Sequence, residues 1–78
     1  MDIREVNKLQ IQTMRENLKW LRGQKSWSIR ELSRRSGVKP GVLRRIEDGR
    51  NFNLRSLLIL CGVYGVRPRD IFYPIRRE

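Results

Sequence analysis

Histidine does not occur in the 78-residue sequence, and cysteine occurs once, as Cys61. Without imidazole the chain has no ordinary acid–base group near neutral pH and cannot build most zinc sites. A single cysteine excludes an intrachain disulfide and any Cys-x-x-Cys site, and it fits a reducing compartment. Acidic residues are scarce: 8 Asp+Glu stand against 18 Lys+Arg, for a net charge of +10 and a pI near 11.3. Long hydrophobic runs are missing too. The most apolar stretch, Leu57 to Val66, is about half the ~20 residues a spanning helix needs. Asp2, Arg4, Glu5 and Lys8 interrupt any apolar block of the kind an export signal carries. The expectation is a soluble, cytoplasmic protein. No Walker-type loop, dinucleotide fingerprint or metal-ligand spacing occurs, and the carboxylates lie scattered, mostly beside arginines. No catalytic site, cofactor or metal is expected, and the chain reads as a non-enzyme.

What is present is a hydrophobic fraction of 38%, enough for one small core. A strongly basic body of this size attracts polyanions. Nucleic acid is the first candidate and an anionic membrane surface the second.

Residues 1–12 mix Ile3, Val6, Leu9 and Ile11 with charges and read as an arm or a weak helix. From Thr13 the pattern sharpens. Met14, Leu18 and Leu21 make one apolar stripe, and Thr13 with Glu16 has capping-box spacing. That helix is expected to end near Lys25. Ser28 and Glu31 form a second capping-box match, which predicts a helix from about Ile29 to Arg35, ended by Gly37. Pro40 suits a first helical position, and the next helix runs to about Asp48. Leu54 to Tyr64 is the most apolar helix, with Leu54, Leu57, Leu58 and Cys61 read as its inward side and Gly65 as its stop. Pro68 opens a short last helix, in which Phe72 is expected to close the core. The reading is all-α, a compact bundle of about five short helices. Residues 13–73 form the domain and 74–78 a basic tail.

The two short helices around Gly37 meet the demands of a helix-turn-helix. Ser33 is small where the helices cross, Gly37 lacks a Cβ in the turn, and Leu32, Val38, Leu43 and Ile46 fill the inward angle. The bland alternative is an αα-hairpin packed for stability alone.

The stretch Met14 to Phe72 resembles the Cro/repressor-type (lambda-repressor-like, XRE) helix-turn-helix domain. The matching pieces are MRENLKWLRGQKSWS, IRELSRRSGV, LRRIEDG and LRSLLILCGVYGVRPRDIF. The resemblance implies a lambda-repressor-like bundle with the helix-turn-helix in its second and third helices. It implies a DNA-binding transcriptional regulator, commonly a dimer and here read as a repressor, with the helix at about 40–48 in the major groove. Two positions depart from the family pattern. Ile29 stands where a Gln often holds a phosphate, and Pro40 and Gly41 stand where base-reading polar residues usually begin.

Base readout needs donors and acceptors in the groove. The candidates are Lys39, Arg44 and Arg45, with Val42 for a thymine methyl; Arg44 is the first choice because it faces away from Leu43 and Ile46. Arg45 is read as gripping phosphate or pairing with Glu47 or Asp48. The phosphate candidates are Arg22, Lys25, Ser28, Arg30, Arg34, Arg35 and Arg50. The expected partners are double-stranded DNA and a second copy of the chain, with a toxin or regulatory protein as a further candidate and no membrane. Two alternatives stay open: an autoregulating antitoxin, and a protein-interaction or non-specific DNA-binding module with a degenerate recognition helix.

Trp27, before the Ser28 cap, reads as a staple or core residue, and Trp20 as half exposed. Ile59 and Val63 read as an exposed dimer strip or as the flank of a wide core face. Gly62-Val63-Tyr64-Gly65 formally matches an RNA-binding Gly-x-x-Gly loop, but it ends an apolar helix.

Overall fold

Between Ile3 and Gly23 the sequence offers no helix breaker, and a single helix uses the whole span. α1 runs Ile3–Gln24. It is followed by α2 (Ile29–Ser36), α3 (Pro40–Glu47), α4 (Leu54–Tyr64) and a 3₁₀ turn (Pro68–Phe72). This is a computed structural model, which describes residues 3–50 and 53–75, with side chains from Asn7 onward. The chain is all-helical, with no strand among the described residues. No helix among them is long and apolar enough to cross a membrane.

The helix starting at Ile3 corrects the expected cap at Thr13, which lies in mid-helix. Ile11, Met14, Leu18 and Leu21 give α1 a continuous apolar stripe, with Met14 and Leu18 fully buried and the outer two packed on the cluster. That anchoring carries the helix back through residues 3–12. The tail residues 76–78 lie outside the described residues.

The core joins all elements: Met14 and Leu18 from α1, Leu32 from α2, Leu43 and Ile46 from α3, Leu57, Leu60, Cys61 and Tyr64 from α4, and Ile71 from the 3₁₀ turn. Here α4 departs from the expected face. Leu54 is 68% and Leu58 44% exposed, whereas Leu57, Leu60, Cys61 and Tyr64 are buried. Four leucines in one short helix allow two stripes, Leu54/Leu58 at i, i+4 and Leu57/Leu60 at i, i+3. The one that wins also brings in Cys61 and Tyr64. Ile59 and Val63 flank this face, partly buried against the core. At the C-terminal end Ile71 closes the core, and Phe72 packs at its edge.

A buried asparagine ties the two ends of the fold together. Asn17 is 1% exposed, and its Nδ2 donates to the carbonyls of Ile71 (2.8 Å) and Tyr73 (2.7 Å). Its Oδ1 accepts from the Ile75 N–H at 3.4 Å. Pairing of this kind is what allows an amide to sit in a core.

Gly37 and Gly49 both lie in the left-handed region, at φ +75° and +68°. They differ in surroundings. A Cβ on Gly37 meets open space, whereas one on Gly49 meets the Arg15 stem and comes within 3.2 Å of Ile11 Cγ2. The Arg15 Nε donates to the Glu47 carbonyl at 3.0 Å, so that stem cannot swing away freely. In urea denaturation Gly37→Ala is expected to cost about 1 kcal/mol, from the left-handed backbone alone. Gly49→Ala is expected to cost about 2 kcal/mol or more, because a hydrogen bond is lost as well.

Candidate nucleic-acid interface

α2 begins as its sequence requires: Ser28 Oγ accepts the Glu31 N–H at 3.1 Å. The expected return bond is not made. The Glu31 carboxylate turns instead to Arg34, through Nε (3.0 Å) and Nη2 (2.6 Å), and to Arg35 through Nε (2.9 Å). Two cations outcompete one backbone amide for the same oxygens. The Arg34 bonds, foremost among the causes, hold the Glu31 carboxyl below the usual carboxylate range.

The turn between α2 and α3 is tight. The Gly37 N–H donates to the Ser33 carbonyl at 2.8 Å, and Ser33 Oγ donates to the Val38 carbonyl at 2.7 Å. Ser36 Oγ accepts the Val38 N–H at 3.1 Å. Leu32, Val38, Leu43 and Ile46 are all buried behind the turn. The small residue, the turn glycine and the apolar angle therefore sit together. α3 follows with Pro40 in its first turn and no side-chain cap from Lys39.

An ion pair fixes α3 from behind. Glu47 is 5% exposed, and Arg22 grips it with both arms, Nε to Oε2 at 2.8 Å and Nη2 to Oε1 at 2.9 Å. Arg22 Nη1 also donates to the Trp27 carbonyl at 3.0 Å. The hydrogen bond to Glu47 raises the Arg22 pKa above its ordinary value, against the opposing effect of burial. Tyr64 lies beside this pair with its hydroxyl buried and unpartnered among the described residues. Its burial pushes the phenol pKa up, with the Glu47 charge adding to the effect. The Tyr64 ring stacks on Trp27 at 6.0 Å. Trp27 is thus a packing residue, with the Arg35 guanidinium 4.6 Å above its ring centroid and Lys25 Nζ at 6.0 Å.

The candidates for contact separate accordingly. Lys39, Arg44 and Arg45 are exposed and carry no ion pair or side-chain hydrogen bond among the described residues. Arg44 and Arg45 lie on the side of α3 away from the buried Leu43, Ile46 and Glu47. Val42 is half-buried and packs partly on the core, so little of it is left to meet a base. Lys25, Ser28 and Arg30 are exposed around the start of α2. Arg34 and Arg35 are exposed but share Glu31, and Arg50 pairs loosely with Asp48 at 3.4 Å. Arg22 does not join this set freely: three of its N–H groups serve the fold. Glu47 takes Arg22 and not Arg45, one of the partners the sequence had suggested for Arg45.

Sequence reading missed the Arg22–Glu47 pair, Asn17 and the Tyr64 hydroxyl, which is unpartnered among the described residues. A signal existed for the first. Glu47 sits four residues after Leu43 and Arg22 four after Leu18, so both fall on inward edges. A carboxylate placed there needs a cation.

A model of the helix-turn-helix family matches residues 18–71. With most of the chain covered, the protein belongs to the XRE/lambda-repressor-like helix-turn-helix family. It is a DNA-binding helix-turn-helix protein. No curated protein and no solved structure matches it.

Proposed function

We propose that this protein is a sequence-specific transcription regulator, a repressor acting as a homodimer in the cytoplasm, that reads the major groove with α3. The observation that carries this reading is the contrast across α3. Glu47 on its inner side is neutralised by Arg22, while Arg44 and Arg45 on its outer side are exposed and unpaired among the described residues. Free guanidinium forks suit guanine edges. Lys25, Ser28, Arg30, Arg34, Arg35 and Arg50 supply the surrounding phosphate contacts, and Lys39 a further base contact. α2 crosses the backbone.

One observation favours a second reading. The start of α3 is Pro40 and Gly41, both exposed, with no side-chain hydrogen bond to offer. A non-specific binder or a protein-interaction module would tolerate that opening. Selection of sites from random duplex DNA separates the two. The proposed function predicts an enriched site with two half-sites about one helical turn (~10 bp) apart. A library that enriches nothing, with binding governed by salt alone, overturns it.

A further inference from the structure

The family match begins at Leu18, but α1 begins at Ile3, so about four turns of helix precede the matched region. One face of α1 is basic, and it continues from the matched region into that extension. Lys8, Arg15, Lys19 and Arg22 follow one another at intervals of seven, four and three residues, which keeps them on one side of the helix. Arg22 and Arg15 both bond to Glu47 at the C-terminal end of α3. The stripe therefore starts beside α3 and runs past its end by about 10 Å to Lys8. Among the described side chains from Asn7 to Arg22 the sole acid is Glu16, which accepts from Gln12 at 3.3 Å.

At this place the surface is concave. An open groove of about 480 Å³ lies between the extension and the turn after α3, lined by Lys8, Leu9, Ile11, Gln12, Arg15 and Gly49. Its lining combines the cationic Lys8 and Arg15 and the polar Gln12 with the exposed Leu9 and the partly buried Ile11. Arg15 spends its Nε on Glu47, which holds its stem along the groove wall. The lining pairs positive charge with apolar surface. A sugar–phosphate backbone has the matching pattern, with charged phosphates alternating with apolar sugar faces.

We propose that the N-terminal half of α1 is a second DNA-backbone site, in which Lys8 and this groove take a phosphodiester segment beyond the base pairs read by α3. The inference rests on the DNA-binding reading above and adds to it a longer footprint on one flank.

The test compares wild type with Lys8→Gln, Lys8→Glu and a control of equal charge change, Arg69→Gln in the 3₁₀ turn. Lys8 and Arg69 are both exposed, so the fold tolerates all three. Binding is titrated over a range of salt on duplexes of about two and about three helical turns. Lys8→Gln is expected to lower the salt slope by about 0.9, the value of one phosphate contact, and Arg69→Gln to leave it unchanged. Lys8→Glu is expected to weaken binding further. The gain that wild type makes on the longer duplex is expected to vanish in both Lys8 variants. If wild type binds DNA and Lys8→Gln keeps both the slope and the length dependence, this inference falls, and the groove is left to an acidic protein partner. Failure of wild type to bind any duplex overturns the underlying reading as well.

Discussion

Replacing Arg22 with leucine is expected to cost about 3 kcal/mol of folding stability, a large share of what a domain of this size holds. The substitution leaves the Glu47 carboxylate at 5% exposure and without its ion-pair partner, beside a Tyr64 hydroxyl unpartnered among the described residues, while the Arg15 Nε is spent on the Glu47 carbonyl. A buried, uncompensated charge is the expensive half of a broken pair. The reverse change is milder. Arg22 is 25% exposed, so in Glu47→Leu its guanidinium keeps partial access to water and its bond to the Trp27 carbonyl. About 2 kcal/mol is expected there. The double variant Arg22→Leu/Glu47→Leu is expected to recover much of the loss, because neither charge is then stranded. Urea midpoints of the four proteins give the coupling directly. Costs for the single variants that simply add in the double would show that the pair is not coupled.

Arg44→Ala is expected to weaken binding to the selected site by about 10- to 100-fold and to relax preference at one base pair. Both effects follow if Arg44 makes a two-pronged contact with guanine. Arg45 lies beside it on the same exposed side, but one residue further round the helix. If Arg45 holds phosphate, Arg45→Ala weakens every sequence about equally and lowers the salt slope by about one. The two outcomes differ in kind, so competition titrations against mismatched sites at two salt concentrations distinguish them. Selected-site affinity equal to wild type in both variants would remove α3 from recognition.

The helix-turn-helix was legible because its requirements are local. Ser33, Gly37, Val38 and Leu43 must occupy fixed offsets within one short window, and each offset has a physical reason that sequence displays. The inward face of α4 was less legible. Leu54, Leu57, Leu58 and Leu60 make several stripes equally apolar, and only packing against Ile71 and the other helices selects one. The first half of α1 shows a third situation. Its charges suggested an arm or a weak helix, and the absence of any breaker before Gly23 with the pull of Ile11 and Met14 makes it a full part of α1. The interface itself was read by residue type. The structure sorted those residues by what they already hold: Arg22 its glutamate, Arg34 and Arg35 a shared carboxylate, Arg44 and Arg45 nothing among the described residues.

The amide of Asn17 bears on how the molecule comes into being. Its partners lie 54 to 58 positions further along the chain. Until residues 71–75 are in place water serves this amide, and only their carbonyls and N–H let it be buried. Seating of the 3₁₀ turn on α1 is thus the step that seals this amide into the core.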